Sequence, residues 1–171
     1  VHVEIIEDAV FFCSNPYLFR WKGEVMTTWE NPGFAGCGVA ENTLYINDQN
    51  QGLLTLSDNT FQPVSPYFKE KQLIAVLELQ AEVLFITGQS VFITNGDEIR
   101  PLNQFSEIRG NLSIYDAVRL RDENIALATN NGIYIYSPAG QLVYHLTQAD
   151  GLASNLINTL YVDEGGNLWA A

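Results

Sequence analysis

The chain has 171 residues, of which 47% are hydrophobic and only 16% charged. That balance describes a folded chain with a sizeable buried core and excludes a disordered one. Twenty acids against eight bases give a net charge of -12, so the basic stripe that a nucleic-acid partner requires is missing, and the acidity reads as a solubility device.

No apolar run approaches the ~18 residues that span a bilayer as a helix. The chain opens Val1-His2-Val3-Glu4, already strand-like and without a basic-then-apolar leader, and closes at Leu168-Trp169-Ala170-Ala171 inside an expected strand. A piece of a longer protein is therefore expected. Two cysteines, Cys13 and Cys37, make no disulfide framework. Both sit in apolar strand contexts, so buried free thiols are expected, with a bridge between neighbouring repeats as the alternative.

The strongest signal is a period. Five segments share one shape, a polar residue followed by an apolar strand: Asp8–Cys13, Asn42–Asn47, Glu82–Thr87, Asn124–Thr129 and Asn167–Ala171. Their starts at 8, 42, 82, 124 and 167 are spaced by 34, 40, 42 and 43 residues.

In chain order, each repeat continues alike. The second strands are Tyr17 to Trp21, Leu53 to Leu56, Val91 to Thr94 and Ile133 to Tyr136. The last strands are Val25 to Trp29, Phe61 to Val64, Ile99 to Leu102 and Leu142 to Leu146. A further alternating strand precedes each shared segment from the third repeat on, carrying Leu77 and Leu79, Val118 and Leu120, or Leu160 and Val162. Turns at Asn95-Gly96-Asp97 and Asn131-Gly132 carry the Asn-Gly signal of type I′ hairpins, in which both central residues need positive φ.

Four hairpin-linked strands per ~40 residues make a propeller blade. The reading is an all-β chain, an incomplete β-propeller of four-stranded antiparallel blades: about 1–33, 34–72, 73–110, 111–155 and a truncated 156–171. Continuous apolar runs such as Val83 to Ile86 fit sheets covered on both faces. A two-sheet sandwich, the competing architecture, does not explain the period. Helix content near zero is expected, as is an exposed apolar face on each terminal blade.

The segment Thr147 to Trp169 contains Asp150-Gly151-Leu152, Ser154-Asn155 and Asp163-Glu-Gly-Gly166-Asn167-Leu-Trp169. It resembles the two-component regulator propeller repeat, whose signature runs from an Asp-Gly-Leu loop through Ser-Asn to an Asp-x-x-Gly-Asn-Leu-Trp turn and strand. The match covers about 23 residues; the other blades fit the family's period and strand order but have lost most of the signature, Asn124-Ile125-Ala126 keeps a trace of it, and residues 1 to 110 alone do not identify the family.

The resemblance implies a periplasmic sensor propeller of a large inner-membrane receptor. It implies further blades and an output domain on the same chain, usually a histidine kinase, and signalling through dimer geometry. The expected ligand is a small molecule, an oligosaccharide or other carbohydrate product. On this reading the segment binds no nucleic acid, no cofactor and no metal, meets the membrane only through the full-length protein, and is not an enzyme. A propeller lyase or hydrolase acting on polysaccharide, and a protein-interaction scaffold, are the alternatives.

The motif residues have structural jobs. Gly151 supplies a left-handed backbone, Asp163 accepts amides in the hairpin closed by Gly165 and Gly166, and Trp169 offers an apolar face to wedge between blades. No catalytic residue is assigned: there is no nucleophile elbow and no phosphate loop. His2 and His145 read as strand residues. Asp48-Gln-Asn50-Gln-Gly52 alternates oxygen ligands as a calcium loop does, but it lacks the closing Glu and reads as a turn. Glu7-Asp8 and Asp122-Glu123 are adjacent carboxylates that point apart on extended chain. Tyr17, Trp21 and Trp29, or Tyr67 and Phe68, are the aromatics available to stack on sugar rings, with core packing as the default role. Asn111-Leu112-Ser113 is a glycosylation sequon.

Overall fold

The computed structural model describes residues 2–80, 82–96, 98–102, 105 and 112–171. The Asp97 part of its predicted turn, the 110/111 blade boundary and the sequon residue Asn111 lie outside them. The chain forms two compact units, Val1–Glu78 and Leu79–Ala171.

The first unit begins with β1 (His2–Ile6), β2 (Ala9–Ser14), β3 (Tyr17–Lys22) and β4 (Val25–Glu30), paired in that order. A second sheet repeats the pattern with β5 (Phe34–Ala40), β6 (Thr43–Asp48), β7 (Gly52–Ser57) and β8 (Thr60–Ser65). Every pairing is antiparallel, as two- or three-residue connections demand. Alternation along the strands puts Ala9 and Phe11 on one face of the first sheet. They bury there with Leu18 against Phe34, Cys37, Leu44 and Ile46 of the second. β9 (Leu73–Glu78) lies against β5, so close that a Cβ on Gly38 would meet the Val76 side chain at 2.7 Å.

The third sheet takes the order β12–β11–β10–β9, with β10 (Val83–Thr87), β11 (Val91–Thr94) and β12 (Arg100–Pro101). The fourth is β13 (Ile114–Arg119), β14 (Ile125–Thr129), β15 (Gly132–Tyr136) and β16 (Leu142–Leu146), followed by the pair β17 (Leu160–Val162) and β18 (Leu168–Ala170). β10, β14 and β15 are buried along their whole length, which is why they read as unbroken apolar runs. Ala126, Ala128, Ile133 and Ile135 pack on Ile157 and Leu160. Among the described residues the helical segments are single 3₁₀ turns, Pro66–Phe68 and Gln148–Asp150.

The five shared apolar segments of the sequence are β2, β6, β10, β14 and β18, the second strand of each sheet. The protein is an all-β chain of four-stranded antiparallel blades, a β-propeller fold. His2 and His145 are strand residues, on β1 and β16.

Two expectations are corrected. Cys13 and Cys37 are not free thiols but a disulfide, with a Cα–Cα separation of 6.3 Å. Cys13 is on β2 and Cys37 on β5, and the packing of the first sheet on the second turns their side chains toward each other.

The Asn-Gly turns are not type I′. In the Asn130–Asn131 turn only the following glycine is left-handed, Gly132 at φ 94°, the pattern of a type I turn with a bulge. Gly96 is likewise left-handed while Asn95 is not. Paired positive φ values occur instead at Glu41-Asn42 and Asp58-Asn59. There, as between Thr129 and Gly132, the strand register leaves two residues between partners, Ala40 with Thr43 and Ser57 with Thr60; at Asn131-Gly132 the glycine falls outside that pair.

Candidate functional site

The motif at 147–169 folds as a closed hydrogen-bonded unit. Thr147 caps the 3₁₀ turn Gln148–Asp150 in a capping box, its own amide donating to Asp150 Oδ2 at 2.9 Å. These bonds from the Thr147 backbone and hydroxyl hold the Asp150 carboxyl below the usual carboxylate range. Gly151 ends the turn at φ 109°, the left-handed role expected of it. Leu152 packs onto the Ala126–Ile135 core, and Asn155 accepts the Gln148 amide on its side chain at 2.7 Å and the Gly132 amide on its carbonyl at 2.6 Å.

The second half of the motif closes on Asp163. Asn167 donates from its side chain to Oδ2 at 2.9 Å and from its backbone to Oδ1 at 2.8 Å; the Trp169 indole donates to Oδ2 at 2.8 Å. These donors favour the charged form, led by the Asn167 amide and then the indole, and lower the Asp163 pKa to about 2. The Gly166 amide donates to the Asp163 carbonyl at 2.9 Å. Trp169 is therefore anchored by its indole N–H. It is 61% exposed, beside its cross-strand partner Tyr161 at 63%.

A reduced copy of this clamp recurs one blade earlier, where Asn124 donates to both oxygens of Asp122 across a turn two residues shorter. Sequence reading missed it, although Asp-x-Asn ahead of the shared strand is its signal. It also missed Asp116 on β13, whose Oδ2 accepts the Leu160 amide at 2.8 Å and the Thr159 hydroxyl at 3.0 Å, tying the motif to the preceding sheet. The adjacent carboxylates divide their work: Asp8 pairs with Lys22, and Glu123 with Arg119.

The loop with a calcium-like pattern is an ordinary turn. The fully buried Asp48 carboxylate already accepts the Asn50 and Gln51 amides at 2.7 and 2.8 Å and the Asn31 side chain at 2.6 Å. Among the described residues no three His, Cys, Asp or Glu side chains group as metal ligands. Of the aromatics, Phe68 is fully buried, and Trp29 packs edge-on to Phe61 with Arg20 over its ring.

Tyr17 is placed differently. It stands at the mouth of a cleft of about 360 Å3 in the first unit. Its floor is apolar, from Leu18, Phe34, Ile46 and Leu73, with the Cys13 sulfur at one side. Its rim is polar and contains no Asp, Glu, Lys or Arg: His2 from β1, Ser14 at the end of β2, Asn15 from the β2–β3 turn, Gln49 from the β6–β7 turn and Gln72 ahead of β9. Buried Asn47 sets the Gln72 wall, donating to the Phe68 carbonyl at 3.0 Å and accepting the Leu73 amide at 3.1 Å. Seven separate segments build this cleft, and of its polar rim only Tyr17 and His2 drew attention in the sequence.

No protein-family model and no curated protein matches the chain. Solved structures do. Two structures of the extracellular domain of BT4673 from B. thetaiotaomicron, assigned in one as a one-component and in the other as a hybrid two-component system, align with TM-scores of 0.78 and 0.75 at 17% and 18% identity. Each alignment covers 98% of this chain and 25% of that one. The extracellular domain of the hybrid two-component system BT3049 of the same organism aligns at a TM-score of 0.73, with 15% identity over 99% of this chain and 25% of that chain. Virginiamycin B lyase from Staphylococcus aureus aligns at 0.73, with 12% identity over 98% of this chain and 61% of the lyase. The chain thus spans about a quarter of the length of the sensor domains it resembles, and at these identities the likeness is one of fold.

Proposed function

We propose that this chain is a non-catalytic, ligand-sensing β-propeller segment in the extracytoplasmic part of a two-component receptor, with a histidine kinase as output and a carbohydrate-derived small molecule as its signal. The observation that carries the reading is the agreement of two independent signals. The motif from Asp150 to Trp169 resembles the two-component regulator propeller repeat, and the fold aligns over 98–99% of the chain with sensor extracellular domains. The Cys13–Cys37 disulfide supports a periplasmic location, because such bonds persist in oxidising compartments.

In mechanism, the ligand binds one arrangement of the receptor's domains more tightly than another and shifts the population toward it, and with it the dimer geometry across the membrane. The rigid blades supply the platform and the loops between them the recognition. The test uses the intact receptor. A saccharide should raise the melting temperature of the extracytoplasmic part in a concentration-dependent way and change kinase output over the same range. A panel of plant, host and microbial oligosaccharides that moves neither quantity overturns the reading. Cleavage of one of them by the purified protein would replace it with the lyase or hydrolase alternative.

A further inference from the structure

We propose that the cleft of the first unit is a binding site for an uncharged saccharide of one or two rings. The proposal rests on the sensing reading for what binding accomplishes, but it names its own residues and ligand class. Three observations carry it.

The first is the state of the polar rim. Buried polar side chains that build the fold are bonded: Asn47 to Phe68 and Leu73, Asp48 to three partners, Thr129 to the Gly132 carbonyl. The exposed side chains of Asn15, Gln49 and Gln72, by contrast, make no hydrogen bond to any described residue, and three different connections bring them around one cleft. Each amide offers two donors and an acceptor, a set that matches vicinal hydroxyls, which donate and accept at once.

The second is charge. The lining contains no Asp, Glu, Lys or Arg, in a chain whose net charge is -12. An acidic or sulfated sugar finds no counter-ion here and meets a repulsive field from the rest of the chain, whereas a neutral one loses nothing.

The third is shape. A volume of about 360 Å3 is at the small end of ligand pockets, which run from about 300 Å3, so a longer oligosaccharide can place only one end inside. The Tyr17 ring lies beside that of Phe19, at a centroid distance of 5.7 Å, and Leu18, Phe34, Ile46 and Leu73 make the apolar floor. Apolar lining with a few convergent polar groups is the composition of a small-molecule site.

The experiment is a titration of the intact extracytoplasmic protein, labelled for amide NMR, with glucose, galactose, xylose, N-acetylglucosamine, cellobiose and lactose. Galacturonate and N-acetylglucosamine 6-sulfate serve as the charged counterparts. The expected result is saturable binding of at least one neutral probe, with shift changes centred on residues 14–17, 34–36, 49 and 72. The double variant Gln49→Ala/Gln72→Ala should weaken it about 10-fold or more, since each lost hydrogen bond to a ligand removes a substantial factor. Both side chains are exposed and unpartnered, so an unchanged melting temperature verifies that the variant folds. Trp21→Ala, at an exposed position outside the cleft, should leave affinity unchanged.

The proposal is overturned if no neutral probe binds, if the shifts fall elsewhere, or if the charged probes bind the cleft as tightly. A saccharide that drives kinase output yet ignores Gln49→Ala/Gln72→Ala removes this site and leaves the sensing reading intact. Binding in the cleft with no effect on output upholds the site and removes the sensing reading.

Discussion

The Asp163 carboxylate gathers an indole, a side-chain amide and backbone amides in one turn, and its titration follows from that. Its folded pKa of about 2 lies below the roughly 3.9 of an unfolded Asp, so its contribution to stability is complete above pH ~4. It is lost as pH falls through the folded value. Asp163→Asn should therefore lower the melting temperature by about 2–4 °C at pH 7 and by progressively less toward pH 2, as read by thermal denaturation across pH. An unchanged difference across that range would show that the charge is not what the donors hold. Trp169 is instructive here: an aromatic in a strand predicts a buried face, but the geometry of the turn decides that its nitrogen is what is anchored.

Gly132 is the second residue-scale test. Its φ of 94° disfavours any side chain, and a Cβ would run into the Leu146 carbonyl. Gly132→Ala should cost more than about 1 kcal/mol by chemical denaturation. A neutral result would mean that β15 and β16 are not paired as described.

At the scale of elements, the disulfide joins β2 to β5 across a separation of 24 residues. Chain-entropy reasoning gives about 3 kcal/mol for a loop of that length, so Cys13→Ser/Cys37→Ser or thiol reduction should lower stability by that order. A melting curve indifferent to reductant would contradict the bridge. Asn47 is the other element-scale anchor. Asn47→Ala leaves the Phe68 carbonyl and Leu73 amide without their partner, at a cost of about 1–3 kcal/mol. Hydrogen exchange should quicken at Leu73, next to the cleft's Gln72.

The strands were legible because an apolar run between turn residues is a local property, and all five shared segments became second strands. The cysteine pairing was not, since it depends on which faces two sheets turn to each other. Turn type was misread because the same Asn-Gly pair serves a type I′ turn or a bulged type I turn, and strand register, a tertiary property, chooses between them. The cleft was hidden for a related reason: Asn15, Gln49 and Gln72 are ordinary loop residues until three connections converge.

At the scale of the whole molecule, each unit buries one sheet against the next and leaves the connections between strands exposed for function. The -12 charge keeps such a chain soluble and biases it against anionic ligands. The single most direct measurement is a crystal structure of the intact protein grown with a saturating neutral saccharide. The account predicts four-stranded blades with β2, β6, β10 and β14 as their second strands, and a sugar seated between Asn15, Gln49 and Gln72. The same segments paired into two stacked sheets, or a sugar bound away from this cleft, would contradict it.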